Sequence, residues 1–377
     1  MPEDLSKLIK TLQKNLGGSA TITNLSEVET PFKKRLPTGI MSLDMALKGG
    51  FPAGSLNQLF GPDGSGKDYL TNRVMAEVQK KHGDKSNIFW MSFGYKPDKE
   101  FMRMAGVKIE RSDEELEMLG IDPAEATPEQ RGESQGNLLF IDVSETKLAG
   151  ENPAETLLNG VLGLLASNKF QLGIINELGS GETKDNVAKS LEKDPKIATW
   201  ANLMTKFCQK FYSVMRQRVE GKINETCVIV VNPVRANMDM MSSRFNPWTQ
   251  GGGYALKHAK AIDLHIKPAG FIRQGGKGGS KVGKDIAWKI MKGKHGVSEG
   301  AEGRYAFMFN AGVDQIKDLA NTAKAVGTIR NAGAYYYILD YEDRITGGLE
   351  GVIDILRESP KLAEELRRET LEKANDL

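Results

Sequence analysis

The sequence predicts an α/β protein in which a mainly parallel sheet is covered by helices on both faces. Three observations predict it. From Leu36 onward, short apolar runs alternate with segments of helical periodicity. A glycine-rich turn, GPDGSGKD at 61–68, joins the first of those runs to a helical segment. The chain has 377 residues, 40% of them hydrophobic and 27% charged, which is enough apolar side chain to bury both faces of a large sheet. Strands that alternate with helices pair in parallel, because each parallel connection needs a long return path that a helix supplies.

The elements follow in order. Leu5, Leu8, Ile9, Leu12 and Leu16 recur at helical spacing, so 4–17 is read as an amphipathic helix that packs on its own core or on another subunit. A polar stretch runs to about Lys34. Leu56–Phe60 is the first strand of the sheet and 69–82 the helix after the glycine-rich turn. Further strands are expected at Ile88–Met91, Leu138–Val143, Leu172–Ile175 and Cys227–Val231, with helices at 153–167 and 195–218.

Two stretches interrupt this rhythm. Residues 110–133 carry nine acidic and two basic residues with Pro123 and Pro128, which reads as a solvated insertion with local helix over 112–119. Residues 267–285, KPAGFIRQGGKGGSKVGKD, read as a mobile basic loop because of their glycines. In the tail, Tyr335–Ile338 is a strand, Gly347–Gly348 a turn, and 349–357 and 360–374 are helices, the last marked by Leu362, Leu366 and Leu371. The expected domains are an N-terminal helix and linker (1–34), a core (35–330) and a small C-terminal domain (331–377).

Composition bounds the function loosely. Lys and Arg number 51 against 49 Asp and Glu, so any surface that binds a polyanion must be local. Cys208 and Cys227 have neither metal-ligand spacing nor the density of a disulfide framework, which fits a reducing cytosol. The first residues lack an apolar signal core and no 18-residue apolar run occurs, so a cytoplasmic protein without a membrane partner is expected.

The segment at 61–68 carries the chemistry. Gly61, Gly64 and Gly66 let backbone N–H groups turn inward around phosphate oxygens, with Pro62, Asp63 and Ser65 between them. The following helix adds positive potential at its N-terminus, and Lys67 a full charge. A G-x-x-x-x-G-K segment after a strand and before a helix is a P-loop. Its eighth position ordinarily carries a hydroxyl for Mg²⁺, and here it is Asp68, which can ligate the metal itself or pair with and quench Lys67.

From these residues outward the chain resembles the bacterial RecA and phage UvsX-type recombinases. LPTGIMSLDMALKGGFPAGSLNQLFGPDGSGKDYL resembles the family's entry segment, and SNIFWMSFGYKPDKEFMRMAGV, FQLGIINELGSGET, CVIVVNPVR, NPWTQGGGYALKHAKAIDLHI and WKIMKGKHGV resemble its later segments in order. The resemblance implies a RecA-type core with ATP and Mg²⁺ as cofactors and a helical homo-oligomer on single-stranded DNA. Recombination mediators or single-strand-binding proteins are its implied partners, in a bacterial or phage-infected cell. It matches Asp98 and Phe101 to residues that hold the adenine, though the residues alone read equally as a helix cap and a core aromatic. Lys292 and Lys294 match lysines that reach a neighbour's nucleotide, or are a solvated strand end. Residues 179–196 would be the first DNA loop. The second runs from Arg235 to Gly253 with Met238, Met240, Met241, Arg244, Phe245, Trp248 and Gly251, Gly252 and Gly253, suited to neutralising phosphates and stacking on bases, or alternatively to forming a buried plug.

The resemblance fails at the catalytic positions. The family's metal-holding aspartate is Asn176 here, followed by Glu177 as a weak substitute. Asp142, ending LLFID, looks locally like a metal ligand, but order and spacing favour Asn176. The family's water-activating glutamate falls at Gly94, and its coupling glutamine at Pro233, after Asn232. Hydrolysis needs a metal-holding carboxylate and a group that orients water. A DNA-dependent ATPase is therefore implied by the family, and slow or absent hydrolysis by Asp68, Asn176 and Gly94. Three readings stay open: a working recombinase for homologous pairing, strand exchange and DNA repair, a hydrolysis-deficient DNA-binding or filament-forming protein, and a regulatory partner of another recombinase.

Overall fold

Buried aliphatic runs without polar alternation are the mark of strands covered on both sides, and the chain supplies them. The computed structural model describes residues 3–17, 22–142, 154–181, 183–184, 197–236, 248–275, 278–339 and 344–375. Its strands are β1 (Arg35–Leu36), β2 (Phe51–Pro52), β3 (Leu56–Gly61), β4 (Asn87–Ser92), β5 (Asn137–Ile141), β6 (Leu172–Asn176), β7 (Cys227–Ala236), β8 (Trp248–Gln250), β9 (Asp263–Arg273), β10 (Lys281–Lys292), β11 (Glu302–Met308), β12 (Gly312–Val313), β13 (Ile329–Ala332) and β14 (Tyr335–Ile338). The α-helices are α1 (Glu3–Asn15), α2 (Met41–Ala46), α3 (Lys67–His82), α4 (Lys99–Met104), α5 (Asp113–Met118), α6 (Pro128–Arg131), α7 (Ala154–Ala166), α8 (Ile197–Arg216), α9 (Gly253–Ala259), α10 (Gln315–Val326), α11 (Gly348–Glu358) and α12 (Pro360–Asn375).

The main sheet runs β5-β4-β6-β7-β3-β9-β10-β11-β12, with β8 paired to β7. From β5 to β9 the pairs are parallel, and from β9 to β12 antiparallel. β3 therefore lies inside the sheet between β7 and β9, and delivers Gly61 to its carboxyl edge.

Alternate residues of each inner strand feed two cores. Ile174, Ile229, Trp90 and Leu59 pack with Leu70, Val74 and Met75 of α3. Ile175, Val228, Val230, Phe89 and Met91 pack with Leu157, Val161 and Leu165 of α7 and Met204, Phe207 and Phe211 of α8. Gly173 stands opposite Phe89 in the β4–β6 register, where a Cβ would run into the phenyl ring. A third cluster joins α10, α11 and α12 with Ile329 and Ile338 of the β13–β14 pair, and reaches Met41 on α2. Among the described residues no helix is long and apolar enough to cross a membrane.

Two expectations change. The stretch 267–285 is not a loop. β9 and β10 pair across it, bulged between Asp285 and Ile286, and of its described residues 274–275 and 278–280 lie outside the strands. The stretch continues into the apolar part of β10, where Ile286, Trp288 and Ile290 are buried on one face. Nor is the acidic insertion simply solvated. α5 and α6 each begin with a capping box, Leu116 is buried, and Arg103 of α4 binds Glu115 at 2.9 Å.

Candidate nucleotide site and the loop beside it

The P-loop begins where β3 ends. Gly64 (φ +66°) and Gly66 (φ +88°) adopt the left-handed conformation that a side chain would strain. Gly61 is closed in as well, since a Cβ there would meet the Ile266 carbonyl. Asp63 and Gly64 form the exposed crest, Ser65 is fully buried, and α3 starts at Lys67. The Lys67 ammonium folds back over the loop and donates to the carbonyls of Gly61 and Pro62, each at 3.1 Å. It does not pair with Asp68, so the expected quenching of Lys67 by its neighbour is not realised. A lysine held on carbonyls keeps its charge available to an anion.

Asp68 has other partners. Its Oδ2 accepts from the Tyr95 hydroxyl at 2.8 Å, and its Oδ1 accepts from Asn176 Nδ2 at 3.1 Å. Asn176 Oδ1 is buried without a partner. Burial, and then the charge of Asp68, raise the Tyr95 pKa above that of an ordinary phenol, so the hydroxyl stays a donor. Tyr95 is brought in by a turn in which Ser92 Oγ accepts from the amides of Gly94 and Tyr95 and donates to the Tyr95 carbonyl. Tyr95 was not singled out from the sequence. The available signal was a serine ending a strand two residues before a glycine, which marks a tight side-chain turn.

The charge of Glu177 also reaches Tyr95 and adds to the rise in its pKa. Glu177 accepts from Ser180 at 3.1 Å. Asp142 follows β5, at the sheet edge, with β4, β6 and β7 between it and β3. Gly94 has open space around its Cβ position. Among the described residues no three His, Cys, Asp or Glu side chains come together as a metal cluster.

Asp98 caps α4, accepting from the Phe101 amide at 3.0 Å. Phe101 is half-buried and packs edge-on to Tyr69, with ring centroids 5.6 Å apart. Lys292 donates to the carbonyls of Lys257 (2.7 Å) and His258 (3.2 Å) at the end of α9, and Lys294 to that of His258 at 3.4 Å. Burial, and then Lys294 and Lys260, lower the Lys292 pKa.

At the start of α9 lie Gly252, in the left-handed region, and Gly253. Arg235 and Trp248 sit on the β7–β8 ladder, where Arg235 pairs with Thr249 and Trp248 with Ala236. Met238, Met240, Met241, Arg244 and Phe245, and most of 179–196, lie outside the described residues.

Beneath this ladder runs a buried polar network that sequence reasoning missed. Lys260 pairs with Asp263 at 2.5 Å and donates to Gln250 Oε1 at 2.7 Å. Gln58 of β3 donates to Gln250 (2.6 Å) and Asp263 (3.0 Å). Asn232 donates to Gln58 (3.3 Å) and to the Gly251 carbonyl (2.9 Å). The strand that enters the P-loop is thus tied to the end of the 235–253 segment, with Asn232 rather than Pro233 making the contact.

Comparison with known proteins agrees with this architecture. The model of the RecA N-terminal domain matches residues 3–113 and 134–314, and its break at 114–133 falls in the acidic insertion. Protein RecA of Thermus aquaticus is 27% identical over 375 residues, covering 99% of this chain and 95% of that protein. Protein RecA of Aquifex pyrophilus is 25% identical over 378 residues (98% and 93%), and that of Lactobacillus johnsonii 26% over 371 (97% and 87%). The chain belongs to the RecA family of recombination proteins.

Proposed function

We propose that this protein binds ATP with Mg²⁺ at the P-loop and assembles with single-stranded DNA as a filament that supports homologous pairing, with nucleotide serving mainly as an assembly signal and hydrolysis slow or absent. One observation carries the reading: an intact phosphate loop stands beside an Asp68 carboxylate engaged by Tyr95 and Asn176. The left-handed glycines, Lys67 and the unpartnered Ser65 hydroxyl fit a phosphate chain.

The donor set also fits Mg²⁺, which binds through one or two carboxylates together with substrate phosphates. Asp68 would hold it, and the unpartnered Asn176 oxygen could accept a further hydrogen bond there. When bound, the ion would neutralise charge on the outer phosphates.

Support for weak hydrolysis is that two neutral side chains, Tyr95 and Asn176, engage Asp68, while Glu177 bonds Ser180 instead. Removing one oriented group from such a site costs about 2.7–4 kcal/mol in the barrier. Support for a DNA segment at 235–253 is the anchored base that Gln250, Asn232 and Gly251 provide.

The test is ATP turnover by purified protein, with and without single-stranded DNA, beside salt-dependent DNA binding. DNA binding that needs nucleotide, with little turnover, supports the reading. Fast DNA-stimulated turnover abolished by Lys67→Ala would make the chain a working ATPase instead. Failure to bind DNA at low salt with nucleotide and Mg²⁺ present, while another recombinase is bound, would favour a regulatory partner.

A further inference from the structure

We propose that Lys284 is a second in-chain lysine for the phosphate chain of the nucleotide, supplied to the P-loop by the antiparallel half of the sheet. The inference rests on the P-loop being a nucleotide site. Lys284 lies on β10, opposite Phe307 of β11 and Phe271 of β9. From there its Nζ donates to the carbonyl of Gly64 at the crest of the loop, and it stands 5.9 Å from the centroid of the Phe307 ring.

This cation lacks a counter-charge. Among the described residues it forms no ion pair with a carboxylate, while Lys289 of the same strand pairs with Glu302 and Lys260 with Asp263. Burial lowers its pKa, and no acidic neighbour raises it. A partly desolvated ammonium without a carboxylate is unfavourable, and phosphate oxygens at the loop would supply the missing charge.

A second, independent observation points the same way. Tyr305, on β11, is 2% exposed and its hydroxyl has no partner. That hydroxyl lies 3.9 Å from where a Cβ on Gly66 would stand. The buried Ser65 hydroxyl is unpartnered too. Unused hydrogen-bonding capacity therefore gathers around the loop, on its own residues and on the strands packed against it. An ammonium has three donors. With one on the Gly64 carbonyl, Lys284 can hold the crest and still donate to a phosphate oxygen.

The experiment is equilibrium titration of the full chain with fluorescent ADP and with a non-hydrolysable ATP analogue, at low and moderate salt. Wild type is compared with Lys284→Met, Lys284→Arg and Lys67→Met, and the melting temperature of each nucleotide-free protein is recorded. The expected result is about tenfold weaker binding by Lys284→Met, as for loss of one charge-assisted hydrogen bond. Its salt dependence should be shallower, Lys284→Arg should bind close to wild type, and the melting temperature should stay unchanged. Wild-type affinity in Lys284→Met overturns the inference, as does a loss that comes with a matching drop in melting temperature. Failure of the underlying reading looks different: wild type and Lys67→Met would then bind equally, or wild type would not bind at all.

Discussion

The Tyr95 hydroxyl donates to one oxygen of Asp68 at 2.8 Å, while the Asn176 amide reaches the other at 3.1 Å. A carboxylate at the end of a P-loop adds negative charge beside phosphates. Here that charge is shared between two neutral donors, which leaves Lys67 on the loop carbonyls. The same contacts compete with any cation for Asp68.

Tyr95→Phe should therefore free one carboxylate oxygen. Nucleotide binding should then need on the order of tenfold less Mg²⁺, the lower end of what one hydrogen bond to a charged group contributes. Because burial and Asp68 raise the Tyr95 pKa, the wild-type contact should persist in mildly alkaline buffer. A Mg²⁺ titration of nucleotide binding checks both points, and an unchanged requirement in the variant removes the argument.

The carboxylates that the family resemblance leads one to expect at two positions can be introduced. Gly94 has open space at its Cβ position and no positive φ, so Gly94→Glu fits without strain. Asn176→Asp alone places two carboxylates side by side and should weaken nucleotide binding when Mg²⁺ is absent. The double variant should gain at least about tenfold in ATP turnover, a small part of what oriented groups contribute. Turnover that stays at the wild-type level would show that these positions are not what limits it.

Lys260 and Asp263 form a buried pair, their side chains 3% and 8% exposed. Lys260→Met leaves Asp263 buried without its cation and should cost about 3–5 kcal/mol. Lys260→Met with Asp263→Leu should cost distinctly less, since no charge is left unpaired. Urea unfolding of the four proteins in a double-mutant cycle decides it. Equal losses in the single and double variants would mean that packing, not charge, sets the effect.

Glu115 gives the insertion a pH dependence. Burial pushes its carboxyl up, but the Ser112 amide, Arg103 and Lys99 outweigh this and lower it to about 2. A lowered carboxylate stabilises the fold above its ordinary value of 4.5, and that contribution is lost as pH falls toward 2. Hydrogen exchange of the 113–119 amides, corrected for the intrinsic rate at each pH, should accelerate across that window, and in Glu115→Gln it should already be fast at pH 5. Exchange protection independent of both pH and the substitution would contradict the ion-pair anchor.

The inner strands of the sheet were legible because their signal is local. Short, mostly apolar runs between helical segments read as covered strands, and β3, β4, β6 and β7 lie where those runs stand. The phosphate loop was legible for the same reason, since its strand, glycines, lysine and helix are contiguous. The 267–285 stretch misled because its glycines and lysines look alike in a loop and in a hairpin. Only the pairing of β9 with β10, and of β10 with β11, distinguishes the two.

By itself, then, the sequence determined the parallel core and the strand, glycines, lysine and helix around 61–68, while departures at Asp68, Gly94, Asn176 and Pro233 are what its family resemblance implies. Only the tertiary structure decided what surrounds Asp68. Tyr95 lies 27 residues from it and Asn176 108, and Lys284 is 220 residues from the Gly64 carbonyl that it holds. Such contacts carry no local period or spacing. They form because the sheet order sets β3 close to β6 and β9, and because β10 runs back alongside β9, bringing distant side chains to one edge of the sheet.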